Sequence, residues 1–230
     1  GGMQKILSST ANDLIEENIE FVEFWAQILN APTDAKVYID LGKISEDVIP
    51  NNKLDTEDLD RNDAIDNAGK EDTGLDGITD DQERALYPNR GADPSGDTFF
   101  FQRGSATYPF DYYNINGTQG NAILTDIGRI PDTEDLNRNG NLDLNNSYYR
   151  YEISLDTIAA TNKFIAGGGL NPNLAKKWYL FRVPLKDFST TVGAPSFSDV
   201  ETIRMFIQGA DSMVHFRITE FNLVGNQWQK

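Results

Sequence analysis

Apolar and polar residues alternate with a period of two near both ends of the chain, and scarcely at all between them. Val37, Ile39 and Leu41 fall on one parity. Tyr149, Tyr151, Ile153 and Leu155 alternate with Arg150, Glu152, Ser154 and Asp156, and Tyr179, Phe181, Val183 and Leu185 alternate with Trp178, Leu180 and Arg182. Ile203, Met205 and Ile207 form another stripe, and Val214, Phe216 and Ile218 another. This period sends every second side chain to one face, as in a half-buried strand. Residues 19–29 (IEFVEFWAQIL) are aromatic and β-branched and read as a further strand. Residues 14–17 read as a short helical turn, and no long amphipathic helix is predicted. The spacing of the strands, with turn residues between them, predicts an all-β protein built as a β-sandwich.

About a hundred residues, from 46 to 146, interrupt this pattern with Asp, Asn and Gly. A connection of that length inside a compact domain is usually functional or ordered by an ion. The expected organisation is one domain over residues 1–230, with a polar, loop-rich insertion at about 46–146. The expected core comprises Val37, Ile39, Tyr151, Ile153, Phe181, Val183, Ile203, Met205, Phe216 and Ile218. Residues 166–172 and 192–195 read as Pro/Gly-rich joints within the domain. The glycines at 167–169 read as a flexible turn, because no phosphate-loop context surrounds them.

Composition narrows the chemistry. The 230 residues carry a net charge of −16, with a sequence pI near 4.3, which disfavours nucleic acid and anionic membrane surfaces as partners. Residues 46–97 hold sixteen Asp/Glu against five Lys/Arg, so this stretch repels itself unless solvent or cations intervene. The chain has no cysteine and one histidine, His215, which excludes disulfides and Cys or multi-His zinc sites within it. No apolar run approaches the ~18 residues of a membrane-spanning helix. The opening GGMQKILSS lacks the basic start and apolar run of a signal peptide, as expected of a mature or excised fragment. Glu152 and Glu220 lie on predicted strands, but nothing marks them as a catalytic pair, and no enzyme activity is expected.

A twelve-residue phrase occurs twice. Residues 55–66 read DTEDLDRNDAID and residues 132–143 read DTEDLNRNGNLD, identical at eight of twelve positions. Both copies set oxygen-bearing side chains at alternate positions: Asp58, Asp60, Asn62 and Asp66, then Asp135, Asn137, Asn139 and Asp143, with the Asn141 carbonyl. Such spacing wraps a tight loop around a hard cation, for which Ca²⁺ is the leading candidate. A third loop, residues 72–83 (DTGLDGITDDQE), matches the calcium-loop template best. It places Asp72, Asp76, the Ile78 carbonyl, Asp80 and Glu83 at ligand positions and Gly77 at the turn. Trp25, Trp178, Trp228, Tyr112, Tyr113, Tyr148 and Tyr149 offer a sugar-stacking platform as the rival to ordinary packing.

Longer phrases carry a resemblance. The segments FVEFW (21–25), DLGKISEDVIP (40–50), LDTEDLDRNDAID (54–66), EDTGLDGI (71–78), DPSGD (93–97), NINGTQGNA (114–122), GRIPDTEDLNRNGNLD (128–143), YYRYEISLD (148–156), WYLFRVPLKDF (178–188), IRMFIQGA (203–210) and FNLVGNQW (221–228) resemble the SprA/Sov family over nearly the whole chain. That family comprises very large outer-membrane translocons of the type IX secretion system, linked to gliding motility. The resemblance implies a soluble, non-catalytic segment of a much longer protein, lying at the cell surface or in the periplasm. It also implies a jelly-roll sandwich like galactose-binding or carbohydrate-binding modules. The implied partners are the rest of the translocon barrel, its accessory proteins and secreted cargo. No nucleic acid is expected, nor membrane insertion of this segment, whose strands lack the outward-apolar pattern of a membrane barrel. A carbohydrate-binding module of a surface protein is the alternative that the same fold would suit.

Overall fold

The computed structural model describes residues 2–32, 34–62, 64, 68–71, 73–92, 94–95, 123–124, 128–129, 132–158, 160–169 and 177–225. Eleven strands lie among them: β1 (Gly2–Ile6), β2 (Ile19–Asn30), β3 (Lys36–Lys43), β4 (Ile123–Leu124), β5 (Gly128–Arg129), β6 (Ser147–Ser154), β7 (Ile165–Gly168), β8 (Trp178–Pro184), β9 (Thr190–Val192), β10 (Thr202–Gln208) and β11 (His215–Gly225). One helical turn, α1 (Ala68–Glu71), and one short helix, α2 (Asp80–Leu86), complete the inventory. The chain divides into two compact units, residues 1–44 with 145–230, and residues 45–144.

The first unit is all-β. Its five-stranded sheet has the order β1-β10-β3-β6-β9, and its four-stranded sheet the order β11-β2-β8-β7, every pairing antiparallel. Strands from the two ends of the chain therefore pair, as expected of the sandwich. Val37, Ile39, Leu41, Tyr151, Ile153, Ile203 and Met205 from one sheet share a single apolar core with Val22, Phe24, Ala26, Phe181 and Val183 from the other. Phe24 and Phe181 stack at 5.1 Å. The Tyr151 hydroxyl, inside this core, donates to the Leu185 carbonyl at 2.6 Å, and burial pushes its pKa up.

Two residues expected inside the core lie at its margin. Phe216 and Ile218 pack against the core but remain half-buried. Their strand, β11, is at the sheet edge, and its pairing slips between Thr219 and Asn222, where Glu220 adopts φ 54°. A bulge there twists the edge strand away from regular pairing.

The glycine-rich joint is also corrected. Gly167 and Gly168 belong to β7, paired with Leu180 and Tyr179 of β8. Gly168 has φ +98°, and a Cβ on it would stand 2.3 Å from the Trp178 carbonyl oxygen. The glycine there permits close backbone approach between strands.

The sheet face turned away from the core is polar in an ordered way. Asp40 on β3 is fully buried there although it alternates with the core residues. The register sets it opposite Arg150 and Arg204, and both guanidiniums grip it in forked pairs of 2.6–3.0 Å. The carboxylate raises the Arg150 pKa. The Tyr38 ring stacks on Phe206 beside this cluster.

The second unit has a different interior. Leu75 is the buried apolar side chain among its described residues, whereas Glu46, Glu57, Asp58, Glu71, Thr73, Glu83, Asp132 and Glu134 are buried. Buried carboxylates are tolerated only where donors satisfy them, so the hydrogen bonds of this unit determine its structure.

Candidate functional site

The two copies of the repeated phrase pair with each other. Thr56 and Thr133 form an isolated antiparallel bridge. The Glu57 N–H donates to the Asp132 carbonyl at 3.1 Å, and the Glu134 N–H donates to the Asp55 carbonyl at 3.0 Å. Equivalent residues thus exchange equivalent bonds about a local pseudo-two-fold axis.

The glutamate at the third position of each copy holds the arrangement. Glu57 accepts the Asp132 N–H at 2.6 Å and the N–H groups of Thr73 and Gly74 at 3.2 and 3.0 Å. Glu134 accepts the Asp55 N–H at 3.0 Å and the Ile49 N–H at 2.8 Å. Each carboxylate therefore ties the partner copy's first residue to a segment outside the repeat.

Beyond the glutamates the copies remain alike. Thr56 and Thr133 hydroxyls each accept an N–H two residues on, both at 3.2 Å. Asp58 accepts the Asn62 N–H at 3.1 Å, and Asp135 accepts the Asn139 N–H at 3.0 Å. Arg61 and Arg138 both take left-handed backbone, with φ 60° and 57°. The divergent ninth position is Gly140 in the second copy, with φ 76° and its N–H donating to Asp135 at 2.7 Å.

The expected ligand residues distribute as follows. In the first loop, Asp58 and Asp60 converge with the buried Glu71, one carboxylate oxygen of each lying within 4.8 Å of the others. Asn62 reaches Asp60 at 3.1 Å. Asp66 and Asp72 lie outside the described residues. In the second loop, the Asn137 and Asn139 amides both donate to Asp143, at 2.7 and 3.2 Å, and Asn139 accepts the Asn141 N–H at 2.7 Å. Glu46, buried beneath, accepts the N–H groups of Leu136, Asn137 and Asp143 at 3.1–3.3 Å. Burial raises the Glu46 pKa, and its bonds to the Asp143 and Asn137 N–H groups oppose that shift.

The third loop behaves differently. Asp76 is exposed and accepts the Ile78 N–H at 3.0 Å. Asp80 stands in the first turn of α2 and ion-pairs with Arg84 at 3.5 Å. Glu83 is buried and accepts both the N–H and the hydroxyl of Ser95. Among the described residues, Asp76, Asp80 and Glu83 form no converging carboxylate group.

Sequence reasoning passed over Glu46, Glu57, Glu71 and Glu134. A signal existed for two of them, since Glu57 and Glu134 are identical across the copies yet fall off the alternate-position pattern.

The other candidates are placed elsewhere. Glu152 pairs with Lys36, Glu220 sits in the β11 bulge, and His215 is exposed at the start of that strand. Tyr149 stacks on Phe197 at 4.0 Å and donates to the Pro195 carbonyl. Trp25 and Trp178 are half-buried. Tyr112, Tyr113 and Trp228 lie outside the described residues. No helix among the described residues is long and apolar enough to cross a membrane.

A family model described as SprA_N, motility related/secretion protein, matches residues 75–230. A search of curated proteins finds no match. The matched span takes in the second copy of the repeat and every strand from β4 to β11, so the chain belongs to the SprA_N family of motility related/secretion proteins.

Proposed function

We propose that this chain is a non-catalytic segment of an outer-membrane translocon of the type IX secretion system, with a jelly-roll sandwich carrying an acidic unit whose loops bind Ca²⁺. Family membership supports the secretion role. The jelly roll is consistent with strands from both chain ends closing both sheets. The partners on this reading are the remaining barrel, its accessory proteins and passing cargo.

The observation that carries the calcium reading is the convergence of Asp58, Asp60 and Glu71. Ligand oxygens around Ca²⁺ lie about 2.3–2.6 Å from the ion, so opposed ligands stand roughly 5 Å apart. Carboxylate oxygens within 4.8 Å of one another match that span. Three carboxylates this close repel, and a divalent ion turns repulsion into coordination. The Asn62 amide nitrogen donates to Asp60 and its oxygen accepts the Ala64 N–H, so Asn62 joins the shell only after its side chain turns over. In the second loop, Asp135, Asn137, Asn139, the Asn141 carbonyl and Asp143 would form the weaker shell, with one carboxylate fewer than the first loop's cluster.

The role is tested in the full-length protein. Lys43 and Ser147 are directly paired across β3 and β6, so residues 44–146 can be replaced by an Asn-Gly turn that closes a hairpin. Normal abundance with loss of cargo secretion and of gliding is the expected phenotype. Undiminished secretion by the shortened protein would overturn the proposed role of the acidic unit.

A further inference from the structure

The pseudo-symmetry of the repeat creates a cleft that borders both cation loops and shares Asp58 and Asp135 with them. Its walls are Thr56 with Thr133, Asp58 with Asp135, and Arg61 with Arg138, closed by Leu54 and Gly140. Three equivalent pairs therefore face one space of about 200 Å³ at the bridge between the copies. That volume is below the ~300 Å³ at which drug-sized ligand pockets begin, and suits a single functional group.

Charge indicates which group. Arg61 and Arg138 are both exposed, and neither forms an ion pair or hydrogen bond among the described residues, although the unit is strongly acidic. Arg84, Arg150, Arg182 and Arg204 grip carboxylates, whereas Arg90 lies over the Tyr87 ring and Arg217, like Arg61 and Arg138, is exposed without an ion pair among the described residues. The two aspartates of the cleft wall also accept N–H groups from their own loops. Asp135 receives the Asn139 and Gly140 N–H groups on its two oxygens, and Asp58 receives the Asn62 N–H. The left-handed backbone at both arginines is a second shared feature.

We propose that this cleft is a binding site for a carboxylate of an acidic polypeptide segment, clamped between the Arg61 and Arg138 guanidiniums with the Thr56 and Thr133 hydroxyls alongside. A guanidinium presents a planar fork of donors that matches a carboxylate. Two such forks in one small cleft select a single acidic side chain or chain terminus. The unit's overall acidity opposes the approach of an acidic segment, so the two forks must win at short range, where screening leaves their contacts intact.

The test is a titration of isotope-labelled protein at fixed ionic strength, run both with saturating Ca²⁺ and without it, followed at the arginine Nε–H resonances. The probe is an acetylated, amidated triglutamate peptide, with the triglutamine peptide and inorganic phosphate in parallel. Expected are saturable shifts of Arg61 and Arg138 with triglutamate and none with triglutamine. Arg61→Gln and Arg138→Gln should each weaken binding about tenfold, and Arg138→Lys less, because lysine keeps the charge but loses the fork. Absence of saturation in the wild-type protein, equal shifts with triglutamine, or unchanged affinity in both glutamine variants would overturn the site. Tighter saturation by phosphate than by the peptide would overturn the ligand class.

Discussion

Glu57 shows how a polar interior is held. Its carboxylate accepts three backbone N–H groups from two segments. Removing it strands those donors out of water, and each unsatisfied buried donor costs about 1–3 kcal/mol. Glu57→Ala should therefore destabilise the acidic unit by at least about 3 kcal/mol. Glu57→Gln should fall between wild type and alanine, because the amide keeps one acceptor but turns an NH₂ toward an N–H. Amide hydrogen exchange at Thr73, Gly74 and Asp132 reads the effect, with exposed Glu220→Gln as the neutral control. Protection in Glu57→Ala equal to that control would contradict this role. The residue was legible only as a repeated letter. An isolated glutamate in an acidic stretch reads as solvated, and its burial depends on two loops that close 16 and 75 residues away.

Among the elements, the strands that lie between two neighbours or carry a full apolar stripe were legible from alternation. β2, β3, β6, β8 and β10 match their expected positions to within a residue or two. β1, β7 and β9 were not legible, for physical reasons. All three are edge strands of three to five residues, with little apolar face to alternate. β7 also contains glycines where a turn is the ordinary reading. Its second glycine gives a sharp prediction. At Gly168 alanine meets both a left-handed φ and a carbonyl at 2.3 Å, whereas at Gly167 the nearest neighbour is 3.9 Å away. Gly168→Ala should cost roughly 2–5 kcal/mol of stability, and Gly167→Ala little. Urea unfolding of the two variants checks this, and equal midpoints would contradict the β7–β8 packing.

At the scale of the whole molecule, one sequence carries two kinds of interior. The sandwich unit is held by apolar burial between sheets, and its pattern could be read from period-two alternation. The unit of residues 45–144 is held by buried glutamates and by the pairing of its repeated phrases. The repeat itself was plain in the sequence, and so was its capacity for oxygen ligands. That its copies pair with each other was not, because pairing depends on a tertiary two-fold that spacing does not encode. Glu71 likewise joins Asp58 and Asp60 only through the fold. The central claim, that this acidic unit is ordered by Ca²⁺, concentrates on those three carboxylates. Mg²⁺ should be a poor substitute, because it demands tight octahedral geometry and dehydrates reluctantly. The most direct test is scanning calorimetry of the wild-type chain and of Asp58→Asn/Asp60→Asn with added Ca²⁺, Mg²⁺ or EDTA. A ligand that binds only the folded state raises its stability by mass action, by about 2.7 kcal/mol at a hundred times Kd. The account predicts a melting transition that rises with millimolar Ca²⁺, falls with EDTA, responds weakly to Mg²⁺ and loses most of its Ca²⁺ response in the double variant. A wild-type melt unchanged by Ca²⁺ up to several millimolar and by EDTA would contradict it.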